Sequence, residues 1–196
     1  MNNNLVFIMG PHCAGKTSLI KALYNNNVAN FAGYEIGKQL YYERVNAGFK
    51  TENSDASFEN EILCSEIERD NYLNLLEGVQ LVETWHPGNL AYVLERTPDV
   101  FCYLVNKIKQ HIKTLKNINL IGVWLQISPE TIYKRTKTFS ENREWAADFY
   151  SKINKNIKTT LNELNLTNCT SIVNAENTFD ENYQNVVKII RGETCI

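Results

Sequence analysis

The residues whose chemistry is easiest to read lie close to the start of the chain, at Gly10-Pro11-His12-Cys13-Ala14-Gly15-Lys16-Thr17, followed by Ser18. Gly10 and Gly15 let the backbone curl with its N–H groups facing inward, where a side chain would block an incoming phosphate. A helix opening near Lys16 would add its positive end and its unpaired N–H groups to the same cradle. Lys16 is placed to reach the β- and γ-phosphates as a point charge, and the Thr17 hydroxyl to ligate Mg²⁺. The spacing is G-x-x-x-x-G-K-[ST], that of a phosphate-binding loop, and it counts only between a strand and a helix. Both flanks are present. Leu5-Val6-Phe7-Ile8-Met9 is an apolar run of strand length, and Ser18 to Tyr24 carries apolar residues at helical spacing. The whole stretch from Gly10 to Ser18 is therefore expected to bind a nucleoside triphosphate with Mg²⁺.

Other groups fall at places where chemistry could be assembled around that loop. Val79 to Thr84 reads as a strand, and Glu83 at its end could hold Mg²⁺ through water or accept a proton from a phosphoryl acceptor. The string Trp85-His86-Pro87-Gly88-Asn89 follows, with Trp85, His86 and Asn89 as candidate substrate contacts. His86 is read equally well as a structural residue before a turn. Arg69 shares a helical stretch with Glu66, Glu68 and Asp70, so it is either an acceptor-binding cation or a member of surface ion pairs. Arg135 and Arg143, with Lys134 and Lys137, suit a lid at about residues 134–145 that closes over phosphates, or else a solvated basic face. Glu35 and Phe58 are candidates to line the acceptor pocket, although Phe58 also suits the core. The 3 histidines and 5 cysteines show no metal-ligand spacing in the sequence.

The elements needed to position these groups alternate in type. A weak strand pattern runs through Val28 to Tyr34, and helical patterns cover Lys38 to Val45 and Phe58 onward through Leu76. Another helix is expected around Val100 to Leu115, then a strand over Leu120 to Ile127. Ser128-Pro129-Glu130 marks a helix start, with Ser as N-cap and Pro at the first helical position. Trp145, Phe149, Ile153, Ile157, Leu161 and Leu164 form one apolar stripe. Thr170 to Asn174 reads as a final strand, and Thr178-Phe179-Asp180-Glu181 as a capping box opening the last helix. Such alternation predicts an α/β fold: a three-layer α/β/α sandwich with a central parallel sheet of about five strands, of the P-loop NTPase type. Ligands in such sheets bind at the carboxyl ends of the strands, where Gly10, Glu83 and Ser128 all fall.

A length of 196 residues suits one domain, and no linker or internal repeat is visible. A net charge of −2 gives no basic field for nucleic acid or anionic membrane. No apolar run approaches the ~20 residues of a membrane span. Met1-Asn2-Asn3-Asn4 does not open a signal peptide, and the scattered cysteines fit reduced thiols, so a cytoplasmic location is expected. Whether the chain forms a homodimer stays open. A GTPase switch is disfavoured, because Asn106-Lys107-Ile108-Lys109 lacks the guanine-reading Asp and no D-x-x-G occurs.

The order of these features resembles thymidylate kinase and its relatives among the nucleoside and nucleotide kinases. The resemblance rests on the glycine loop, Glu66-Ile67-Glu68-Arg69-Asp70, Leu81-Val82-Glu83-Thr84-Trp85 with Ala91-Tyr92 downstream, and Ser128-Pro129-Glu130 with Arg135. It implies transfer of the γ-phosphoryl group of ATP·Mg²⁺ to a small nucleotide or nucleoside acceptor. It also implies that Arg69 grips the acceptor's phosphate and that Arg135 and Arg143 act as lid cations. The chain departs from the family at one point. An Asp-Arg pair ends the corresponding strand in thymidylate kinases, where this chain has Glu83-Thr84. The rival reading is a nucleotide-binding switch, or slow NTPase, acting on a protein partner.

Overall fold

The computed structural model describes residues 3–48, 55–136 and 142–193. Five strands, β1 (Asn4–Met9), β2 (Phe31–Gly33), β3 (Val79–Glu83), β4 (Asn119–Gln126) and β5 (Thr170–Asn174), form one sheet in the order β2-β3-β1-β4-β5. Every pairing is parallel. The helices are α1 (Lys16–Asn25), α2 (Ile36–Asn46), α3 (Ala56–Leu73), α4 (Trp85–Arg96), α5 (Phe101–Ile112), α6 (Pro129–Thr136), α7 (Arg143–Glu163) and α8 (Phe179–Arg191). The three-layer α/β/α sandwich expected from the alternation is the one formed.

The period-2 alternation of β1 explains the layering. Leu5, Phe7 and Met9 point into a core shared with α3, α4, α5 and α7, whereas Val6 and Ile8 point into a second core with α1, α6 and α8. All five of these side chains are fully buried, as expected for a central strand covered on both faces.

Local signals hold at the helix ends. Ser128 Oγ accepts from the Thr131 N–H at 3.2 Å, and Asn142 caps α7 through a bond from the Trp145 N–H at 3.1 Å. The Thr178–Glu181 capping box is complete. Three expectations need adjustment. β2 is shorter than Val28 to Tyr34. α3 stops at Leu73 and gives way to a turn that brings the chain round to Gly78 and β3. The string after Glu83 is helical and not a loop: Pro87 sits in the first turn of α4, where its missing N–H costs no intrahelical bond. Residues 137–141 of the expected lid, Lys137 included, lie outside the described residues. No described helix is long and apolar enough to cross a membrane.

Candidate functional site

The loop between β1 and α1 has the geometry its sequence demands. Gly10 adopts φ +151°, and a Cβ there would stand 2.8 Å from the Leu125 carbonyl oxygen. Gly15 adopts φ +93° with open space around it, so conformation and not room requires glycine at this N-cap. Lys16 is buried, and its Nζ donates to the carbonyls of Gly10 at 3.0 Å and Pro11 at 3.3 Å. An ammonium has three donors, so one is left for a ligand in the loop.

Thr17 and Glu83 meet across the β1–β3 pairing. Ile8 is the register partner of Glu83, which brings the end of β3 beside the start of α1. The Thr17 hydroxyl donates to Glu83 Oε1 at 2.6 Å. Burial pushes the Glu83 carboxyl up, while Lys16 and the Thr17 bond oppose the rise and the nearby Glu35 adds to it. Immediately after Glu83 the backbone kinks: Thr84 has φ 68° and ψ −58°, and Trp85 has φ 51°. A β-branched residue at positive φ is a strained one. The Thr84 N–H still bonds Ile8 O at 2.9 Å, but its buried hydroxyl has no hydrogen-bond partner.

Around this centre the structure gathers groups from several elements. Glu35, just before α2, is close enough to influence His12, Glu83, Tyr92 and Tyr150. His12 stacks on Tyr150 with ring centroids 5.5 Å apart, and burial followed by the Lys16 charge lowers its pKa. Burial, reinforced by Glu35, pushes Tyr150 up to about 12. Arg96 lies over Tyr92 and pairs through Nη2 with the buried Glu59 at 3.0 Å. Phe58 is 5 % exposed, with the Arg44 guanidinium 4.8 Å from its ring, so it serves the core more than an open pocket. Asn89 is half-buried in the first turns of α4.

The basic residues divide. Arg135 reaches the loop, donating to Cys13 O and to Ala175 O, each at 3.1 Å, and so ties α6 to the ends of both β1 and β5. Arg143 instead lies 4.3 Å above the Tyr133 ring and donates to Tyr133 O at 3.2 Å. Arg69 lies with its stem against Gly33 at the end of β2. Its Nη2 faces Glu66 Oε1 at 3.3 Å and Asp70 Oδ1 at 3.5 Å, while its Nε and Nη1 are buried without a hydrogen-bond partner. This is neither a solvated surface pair nor a saturated one.

Trp85 and His86 are not where direct substrate contacts would be. Both are fully buried. Trp85 packs 4.6 Å from the Phe7 ring and donates from Nε1 to Asp70 Oδ2 at 2.8 Å. His86 is held between Glu66 Oε2, 2.8 Å from Nδ1, and Asp70 Oδ2, 3.0 Å from Nε2. Burial would lower its pKa, but the two carboxylates outweigh burial and raise it to about 9. Asp70 is depressed in turn: burial works against its charge, and the bonds from His111 and His86 overcome it. The side chains turn inward because the kink at Thr84 aims the first turn of α4 at α3. Glu66 and Asp70 were read from the sequence only as charged neighbours of Arg69, and His111, Glu59 and Arg96 were not singled out at all. The stripe that could have revealed the acids is Ile62, Glu66, Asp70 and Leu73, at helical spacing on one face of α3.

No protein-family model matches the sequence, and no curated protein matches it. Solved structures do. Thymidylate kinase from Candida albicans superposes with a TM-score of 0.71 at 17% identity, covering 97% of this chain and 92% of the other. Deoxyadenosine kinase from M. mycoides gives 0.67 at 14% identity, covering 96% and 99%. The NadR protein in complex with NR gives 0.67 at 16% identity; 99% of this chain corresponds to 50% of that one. The five-stranded parallel order, the glycine loop at the end of its central strand and these likenesses together show that the chain has the three-layer α/β/α fold of the P-loop nucleoside and nucleotide kinases.

Proposed function

We propose that the protein is a phosphotransferase that moves the γ-phosphoryl group of ATP to a small nucleotide or nucleoside acceptor. The observation that carries the reading is the 2.6 Å contact between Thr17 and Glu83 beside Lys16, at the carboxyl ends of two adjacent strands. It unites a phosphate cradle with a carboxylate, the two parts that in-line phosphoryl transfer needs at the donor side. The Thr17 hydroxyl and Glu83 carboxylate are hard oxygen donors and fit Mg²⁺, which when bound neutralises charge on the phosphates. Lys16 holds the β- and γ-phosphates with the donor it does not spend on its own loop. Arg135, already tied to Cys13 O, orders the loop from above and stands ready to offset charge on the transferring group. Glu83, whose carboxyl burial shifts toward the proton-accepting range, can take the proton of an acceptor hydroxyl.

On the acceptor side, the two unsatisfied guanidinium donors of Arg69 suit an anionic group at the end of β2. Glu35, His12, Tyr92, Tyr150 and Arg96 would line the space between. Arg143 acts as a lid cation only if α6 and α7 move from the arrangement described here.

The test is turnover of ATP·Mg²⁺ against a panel of nucleosides, nucleoside monophosphates, NR and small phosphorylated metabolites. ADP release stimulated by one acceptor class, abolished in Lys16→Ala with the fold intact, supports the reading. ATP binding without stimulation by any acceptor overturns it in favour of a nucleotide-binding switch, and wild-type turnover in Lys16→Ala overturns the role given to Lys16.

A further inference from the structure

Asp70, His86 and His111 come from three different helices and converge on a single oxygen atom. Asp70 Oδ2 lies 2.8 Å from Trp85 Nε1, 3.0 Å from His86 Nε2 and 3.3 Å from His111 Nε2. A carboxylate oxygen offers about two lone-pair sites, so three donors on Oδ2 are one too many. Meanwhile Oδ1 of the same carboxylate is buried with no hydrogen-bond partner. His86 also faces Glu66, whose Oε2 lies 2.8 Å from Nδ1.

A cation among the three ligand atoms removes the crowding at Oδ2. The two Nε2 atoms then present lone pairs and not protons, and Trp85 alone bonds Oδ2. His86 carries its proton on Nδ1 and donates it to Glu66, the carboxylate–histidine–metal arrangement that fixes a ligating imidazole. Two of the three ligand–ligand edges fit a tetrahedral ion. The three atoms all lie within 4.8 Å of one another. The two nitrogen–oxygen distances, 3.0 and 3.3 Å, compare with edges of about 3.3 Å in a tetrahedron whose metal–ligand bonds are about 2.0–2.1 Å. Two imidazoles and one carboxylate suit zinc-class ions and not Mg²⁺, which prefers oxygen. Glu66 and Asp70 bring two carboxylates to the cluster, facing the guanidinium of Arg69 and the imidazole of His86. His111, in the last turn of α5 and 8 % exposed, marks the side nearest solvent.

We infer that Asp70, His86 and His111 form a binding site for a zinc-class divalent cation, with Glu66 orienting His86. The site joins α3, α4 and α5 behind the kink that follows Glu83, and it stands independently of the proposed phosphotransfer.

The test uses the chain without a polyhistidine tag, stripped with chelator and titrated with Co²⁺ and then Zn²⁺. One equivalent of Co²⁺ should give visible d–d bands that Zn²⁺ displaces and excess Mg²⁺ does not. His111→Gln, folded by circular dichroism, should lose them, and Glu66→Gln should bind about tenfold or more weakly. Because the chain has 3 histidines, ¹⁵N-imidazole spectra of the wild type provide a readout needing no variant. Zn²⁺ should shift two imidazoles, those of His86 and His111, and leave His12 in place. Absence of Co²⁺ bands, bands unchanged in His111→Gln, or Zn²⁺ binding that leaves both buried imidazoles unshifted would each overturn the assignment.

Discussion

Thr84→Gly is expected to make the protein more stable and the site less effective. Thr84 holds φ 68° and ψ −58°, and strain of this kind costs on the order of 1–3 kcal/mol in a β-branched residue. Its buried hydroxyl, lacking a partner, adds about 1–3 kcal/mol of desolvation. Glycine removes both terms. Against them stand roughly 1 kcal/mol for the greater freedom of glycine in the unfolded chain and about 1–2 kcal/mol for two buried carbons. One of those carbons, Cγ2, packs 2.7 Å from where a Cβ on Gly88 would lie. With the middle of each range the balance is a gain of about 1–2 kcal/mol, or about 2–8 °C in the thermal midpoint of a chain this long. Function should move the other way. The kink fixes where β3 ends and therefore where Glu83 meets Thr17; a freed backbone should cost tenfold or more in acceptor-stimulated turnover, since misplacement by about 1 Å can cost 10²-fold. Differential scanning calorimetry and a coupled ADP assay read the two effects. A lower midpoint in Thr84→Gly would show that the conformation is unstrained. A higher midpoint with unchanged turnover would show that the kink does not position Glu83.

Two further outcomes concern the scaffold. In Gly122→Ala the new Cβ would collide with Thr170 Oγ1 and stand 2.8 Å from the Phe7 ring. Thr170 would have to give up its 2.8 Å bond to Leu166 O and Phe7 its place in the core, for about 2–4 kcal/mol and a midpoint lower by on the order of 10 °C. A change within about 1 °C would contradict the packing. Glu176 accepts from the Ser128 N–H at 3.0 Å, and bonds from Ser128 and Thr131 lower its carboxyl from 4.5 to about 2. A depressed carboxyl stabilises the fold above its unfolded pKa and loses that contribution as pH falls toward its folded one. The midpoint difference between wild type and Glu176→Gln should therefore shrink from about pH 6 to about pH 3; a constant difference would refute the bond's contribution.

The glycine loop and its flanks were legible because their signals are local. A glycine spacing, an apolar run before it and a helical stripe after it all lie within Leu5 to Tyr24, and the Thr178–Glu181 box within four residues. The buried cluster of α3, α4 and α5 was not legible, because its order is tertiary. Glu66 and Asp70 look like solvent-facing charges beside Glu68 and Arg69, yet two imidazoles and an indole from α4 and α5 give them buried partners. His111 stands 41 residues from Asp70, a separation no motif spans. Trp85-His86-Pro87-Gly88 reads as a turn by composition. It folds as a helix because the strained residue before it redirects the chain, and proline is harmless in a first turn.

The position of β1 has a consequence for assembly. Its hydrogen-bonding neighbours are β3 and β4, which begin at Val79 and Asn119, so the segment carrying Gly10 to Thr17 is made long before either strand that flanks it. Such non-local pairing is slow to form and leaves an apolar strand with two bare edges in the meantime. During synthesis the glycine loop therefore cannot take up its shape by itself. The Leu125 carbonyl that crowds Gly10 and the Glu83 carboxylate that receives Thr17 must both arrive first. Nucleotide should consequently report on the finished sheet: a nascent chain halted before β4 would hold every residue of the loop and still have no cradle.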